Sequence, residues 1–138
     1  MALELYMVGV IVEDMGRAIE FYRRLGVEIP EGSEELEHVE VKMSGLTFFL
    51  NTARSNARWD PARREVSGDG YRIVLEFYLE TAAALDAKYA ELTGFGYEGH
   101  CAPYDVTPEL RFALVDDPDG NTILLSAVAG DGAGPASP

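Results

Sequence analysis

The chain has 138 residues, 47% of them hydrophobic and 25% charged, with a net charge of −13 at pH 7. That composition suits one compact domain, or two small ones sharing a core. The charge argues against a nucleic-acid partner, since a phosphate backbone needs a positive footprint. No apolar run approaches the roughly 18 residues that span a bilayer.

The first residues, MALELYM, carry no basic region followed by a long apolar stretch, so no secretory signal is expected and the cytoplasm is the expected location. Cys101 is the only cysteine, which rules out an internal disulfide. It reads as a small, partly buried residue, with a reactive thiol as the alternative.

Met7 to Val12 is a short run rich in Val and Ile and is predicted as a buried strand. Asp14 stands where an N-cap belongs, and Arg17 to Leu25 has apolar residues at helical spacing, with Ala18, Phe21, Tyr22 and Leu25 on one face. Gly26 follows as a left-handed C-cap would require. Glu31 to Glu35 is acidic and turn-like. His38 to Lys42 alternates, and Ser44-Gly45 turns the chain into a strand over Leu46 to Leu50. Thr52 to Gly70 is a long polar connection containing Trp59, the only tryptophan, and four arginines, Arg54, Arg58, Arg63 and Arg64. Loops of that length in compact domains are usually functional or disordered. Trp59 is expected to pack on its own core or a partner subunit, or to close over a ligand.

Arg72 to Leu79 is predicted as the next strand, Thr81 as a cap and Ala82 to Leu92 as a helix with Leu85, Tyr89 and Leu92 on one face. Gly94 and Gly96 end it. Arg111 to Val115 is a strand, Asp117-Pro118-Asp119-Gly120 a tight turn, and Thr122 to Ala127 the last strand. Gly130 to Pro138 lacks the apolar surface to order itself. The order strand, cap, helix, strands thus occurs twice, and an internal repeat fixes architecture. We expect a single domain over residues 1–129: module one at about 1–52, a linking loop at 53–70 and module two at about 71–129, followed by a flexible tail at 130–138.

The segments VEDMGRAIEFYRRLG and DPDGNTILL, within this repeat, resemble the vicinal oxygen chelate superfamily, also called the glyoxalase, bleomycin-resistance and dioxygenase group. The resemblance implies an α+β fold of two βαβββ modules whose sheets curve into a cup with helices outside. It also implies metal ligands at equivalent places in metal-dependent members. Carried over, those places are Met7, Phe49, Val74 and Leu124, none of which supplies the His or carboxylate donor that hard or borderline cations want. Neither His38 nor His100 is expected in a core strand beside them. Hence no metal or other cofactor is expected. Through VEDM, EFYRRLGVEIP, KYAEL, GYEGH and DPDGN the chain is most similar to mitomycin-type antibiotic-binding resistance proteins. That similarity implies a homodimer that sequesters an aromatic drug without chemistry. The chain departs from that pattern after Tyr104, where Val106 to Leu110 replaces a Trp-containing segment, and at the strand end Phe49-Leu50-Asn51.

Strand alternation gives a candidate pocket independently. If Val8, Val10 and Val12 pack under the first helix, then Met7, Gly9 and Ile11 point the other way. The same phase turns Thr47, Phe49 and Asn51, then Val74, Glu76 and Tyr78, and finally Thr122, Leu124 and Ser126 to the ligand side. Trp59 and Tyr104 are expected to add walls from loops. Glu76 interrupts an apolar strand; its expected partner is Arg72 or Arg111, or an amine or hydroxyl of a ligand. The candidate ligand-binding residues are therefore Met7, Phe49, Asn51, Trp59, Val74, Glu76, Tyr78, Tyr104, Leu124 and Ser126, with no catalytic residue assigned. The expected function is metal-free sequestration of a planar aromatic antibiotic of the mitomycin, bleomycin or anthraquinone-enediyne class. The alternatives are a metal-dependent dioxygenase or lyase of the same superfamily, and a protein acting on a biosynthetic intermediate.

Overall fold

A computed structural model of the chain describes residues 2, 5–62 and 73–130. The chain forms two compact units, Met1–Asp69 and Gly70–Pro138. Arg63, Arg64, Arg72 and the segment after Gly130 lie outside the described residues.

In the first unit, β1 (Met7–Val12) leads into α1 (Met15–Leu25). Asp14 makes the junction: its backbone is extended and its Oδ1 accepts from the Arg17 N–H at 2.9 Å. That bond satisfies one of the donors a helix start leaves open. Ala18, Ile19, Phe21 and Tyr22 are fully buried. Phe21 and Tyr22 meet edge to face at 4.9 Å, and Tyr22 reaches Phe48 at 5.4 Å. Burying such side chains contributes roughly 1.5–3 kcal/mol each. Gly26, at φ 125°, ends the helix, and the N–H groups of Gly26 and Val27 bond back to the Tyr22 carbonyl.

β2 (His38–Met43) and β3 (Leu46–Thr52) form a hairpin, and the return lays β3 parallel to β1, giving the order β1-β3-β2. One strand fewer follows the helix than a βαβββ module requires, among the described residues. The segment after Gly26 buries Val27 and Ile29 but makes no ladder. The Arg23 guanidinium takes the Ile29 and Pro30 carbonyls, at 3.1 and 2.7 Å, and Pro30 has no N–H to give. A single 3-10 turn, Ser33–Glu35, follows.

The long polar connection is not wholly a loop. Thr52 caps a short helix, α2 (Ala53–Trp59), with its hydroxyl accepting from the Ser55 N–H at 3.1 Å. Trp59 is therefore the last residue of a helix.

The second unit contains β4 (Leu75–Thr81), α3 (Ala82–Gly94), β5 (Gly99–Thr107), β6 (Leu110–Asp116) and β7 (Thr122–Val128). The order is β4-β7-β6-β5, with β4 parallel to β7 and the other pairs antiparallel. Here the βαβββ pattern is complete. β4 begins three residues later than predicted and runs to Thr81, whose hydroxyl caps α3 by accepting from the Ala84 N–H at 3.1 Å. A register shift between Tyr78 and Thr81 lets the strand reach that cap, and Glu80 sits within it at φ 71°. Leu85 and Leu92 of α3 are fully buried, as are Ala113, Val115, Ile123, Leu125 and Ala127 of the sheet. The mixed α+β fold has three helices and sheets of three and four strands among the described residues.

Candidate functional site

Each sheet has one face turned to its helix and one turned away, and the candidate residues fall on the second. In the first unit, Val10, Val12, Phe48 and Leu50 are buried on the α1 side. Gly9 and Ile11 of β1 alternate with them, facing away, and pair with Phe49 and Asn51 of β3. The Phe49 ring lies over Gly9 so closely that a Cβ there would overlap its Cζ and Cε atoms. The ring therefore rests on bare backbone, a position only glycine allows.

Asn51 is 1% exposed and anchors this face. With its amide oriented to satisfy every neighbour, the nitrogen faces the Glu37 carbonyl (3.0 Å), His38 Nδ1 (3.2 Å) and Ser55 Oγ (3.1 Å), while the oxygen accepts from Trp59 Nε1 at 3.3 Å. His38 Nε2 lies 2.9 Å from Glu40 Oε2, within hydrogen-bond reach. The His38 and Phe49 rings are 5.0 Å apart. His38 thus stands in β2 opposite Asn51 and beside Phe49, contrary to the expectation that no histidine neighbours these positions. Arg58 of α2 donates to Glu37 Oε2 at 2.9 Å, and this hydrogen bond holds the Glu37 carboxyl below the usual carboxylate range.

In the second unit, register places two rows across the face turned away from α3. One is Tyr78, Ser126, Phe112 and Tyr104; the other is Glu76, Leu124, Leu114 and Cys101. Tyr78 and Tyr104 are 43% and 44% exposed. Ser126, 1% exposed, donates its hydroxyl to Glu76 Oε2 at 2.8 Å. Arg111, offered from sequence as a partner for Glu76, instead bonds Asp86 of α3 at 2.8 Å and Asp105 at 2.9 Å. Those two bonds raise its pKa, the Asp86 contact contributing most.

Tyr104 lies in a strand, β5, and not in a loop. Val74 precedes β4 and is 37% exposed. The structure gathers Phe49, Asn51 and Trp59 on one unit and Glu76, Tyr78, Tyr104, Leu124 and Ser126 on the other; Met7 is half-buried at the start of β1. Phe112, Leu114, His38 and Glu40 share these faces and were not singled out from sequence. At Met7, Phe49, Val74 and Leu124 the groups present are a thioether, a ring and two aliphatic chains, which do not fit a divalent metal. Among the described residues no three His, Cys, Asp or Glu side chains come together as a metal site.

The DPDGN segment serves the fold. Asp117, buried, accepts from the N–H groups of Asp119 (2.9 Å) and Asn121 (2.8 Å) and from Asn121 Nδ2 (2.9 Å). Gly120, at φ 86°, closes the turn. The motif thereby fixes the β6–β7 register that aligns Ser126 with Phe112.

Each unit carries a strand, a helix and a returning hairpin, with aromatic and polar side chains on the sheet face away from the helix. The chain belongs to the Glyoxalase/Bleomycin resistance protein/Dioxygenase superfamily, whose family model matches residues 5–125. A search of curated proteins found no match. Solved structures share the fold. One is a glyoxalase/bleomycin resistance protein/dioxygenase family enzyme from Burkholderia phytofirmans PsJN, with a TM-score of 0.76 and 18% identity over 91% of this chain and 99% of that one. A lactoylglutathione lyase from Agrobacterium tumefaciens has a TM-score of 0.64 and 17% identity over 90% and 92% of the two chains. TioX from Micromonospora sp. ML1 has a TM-score of 0.63 and 16% identity over 90% and 98%. At these identities the likeness is one of fold.

Proposed function

We propose that the protein binds a planar aromatic antibiotic of the mitomycin, bleomycin or anthraquinone-enediyne class, without altering it, and so confers self-resistance by sequestration. It acts as a metal-free homodimer in the cytoplasm. The observation that carries this reading is the aromatic row Tyr78, Phe112 and Tyr104 across the sheet face turned away from α3. Phe112 and Tyr104 are neighbours across β6 and β5, and Tyr78 flanks them across the small Ser126 of β7. Flat side chains so arranged suit a flat ligand, and each stacked pair adds about 0.5–1.5 kcal/mol beyond area burial. On the second unit Val74, Glu76, Leu124 and Ser126 are proposed as further ligand contacts; on the first unit Met7, Phe49, Asn51 and Trp59 are proposed as contacts in their own right. The sequence similarity to mitomycin-type binding proteins supports the drug class.

A thermal-shift screen against planar quinone and glycopeptide antibiotics tests the proposal, because a ligand that binds only the folded state raises its apparent stability. At least one planar member should raise Tm in a saturable way. Failure of every member to do so would count against drug binding. A second reading, a metal-free enzyme acting on a biosynthetic intermediate, draws on His38, hydrogen-bonded to Glu40 and beside Phe49. An imidazole next to a carboxylate is a pairing used in general acid–base catalysis. Turnover that is lost in His38→Gln would favour it.

A further inference from the structure

We propose that the second unit selects a cationic aromatic ligand, with Glu76 taking its ammonium or other N–H donor and Tyr78 its ring. The inference rests on the aromatic-binding reading and adds the charge of the ligand. Glu76 is the second residue of β4, exposed, on the same face as Tyr78. One carboxylate oxygen is fixed by the hydroxyl of Ser126, which is itself 1% exposed. The other oxygen has no hydrogen-bond or ion-pair partner among the described residues. A carboxylate held by one buried donor and open on its other side is oriented without being neutralised.

Among the described residues, the rows through Glu76 and Tyr78 contain no basic residue. Arg111, next to Phe112 in β6, is turned to the opposite face and occupied by Asp86 and Asp105. His100, next to Cys101, stands 3.5 Å from Asp116. The exposed Tyr78 ring beside Glu76 offers a cation its π-face as well as a counter-charge. The chain's charge of −13 favours approach of cations and disfavours anions. β4 is also an edge strand, and a charge there can serve only to block edge pairing. A purely protective Glu76 would be indifferent to ligand charge, which makes the two roles separable.

The test compares three planar tricyclic probes on the full chain: cationic proflavine, neutral anthraquinone and anionic anthraquinone sulfonate. Wild type should bind proflavine about tenfold or more tighter than the sulfonate, as a charge-assisted hydrogen bond allows. Added salt should narrow that gap. Glu76→Gln should lose about tenfold for proflavine and much less for anthraquinone, whereas Glu76→Asp should keep the preference for the cation. Equal binding of cation and anion, or a proflavine affinity that Glu76→Gln leaves unchanged, would overturn the inference. If anthraquinone then still binds and needs Tyr78, the aromatic reading stands without it. If no probe binds, both fall. Should Glu76→Gln fail to fold, Glu76→Thr serves as the second uncharged variant, with the same loss for proflavine expected and unchanged proflavine affinity overturning the inference.

Discussion

Gly9 and Phe49 show how a single missing side chain can place a neighbouring ring. The ring occupies the volume a Cβ would take, so Gly9→Ala must push Phe49 off the strand. We expect a loss of about 1–3 kcal/mol, the usual cost of overpacking, measured by urea denaturation; an unchanged midpoint would mean that the ring moves freely. Phe49→Ala should weaken binding of the planar ligand by about 1–3 kcal/mol through lost burial and stacking, read by calorimetry. Phe49 was legible from strand alternation alone. His38 was not, although the signal existed: counting outward from the two-residue turn Ser44-Gly45 places it opposite Asn51. Reading parity only along central strands overlooked a hairpin partner. The hydrogen bond between Trp59 and Asn51 joins a helix end to a strand, a pairing no sequence period expresses.

At the scale of elements, strong patterns were readable and weak ones were lost. β1, α1, β3, α3, β6 and β7 carry apolar periodicity with caps or turns at their ends, and the sequence places them within a few residues. α2 is seven residues with no apolar stripe, so its composition looks like a loop; Thr52 was its only mark. β5 is an edge strand with Pro103 inside it and register shifts on either side of Cys101, which destroy strict alternation. α2 is tied to the segment before β2 through Arg58 and Glu37. Because Arg58 lowers the Glu37 pKa, this tie contributes above the unfolded carboxylate value of about 4.3. It is lost as pH falls through the lower folded value. Carboxyl-resolved NMR should find Glu37 titrating below the ordinary range, and Arg58→Gln should move it upward; no movement would deny the contact a role. Asp117→Ala should cost about 1–3 kcal/mol by stripping the turn of its acceptor, checked by chemical denaturation, and should leave the β6–β7 hairpin less protected from hydrogen exchange.

For the whole molecule, the charge of −13 and the open sheet faces bear on assembly and ligand choice together. Several large apolar side chains remain exposed, among them Tyr6 at 79% and Ile73 at 76%. The family resemblance in the sequence implies a dimer, which would give such side chains a partner to cover them. Sedimentation at micromolar concentration should therefore find a homodimer, and a persistent monomer would contradict it. The central claim is that the protein holds its ligand and does not transform it. Mass spectrometry of the planar antibiotic recovered after prolonged incubation tests this most directly. The account expects the drug intact, bound in fixed proportion to the chain. A modified product accumulating far beyond the amount of protein would contradict it.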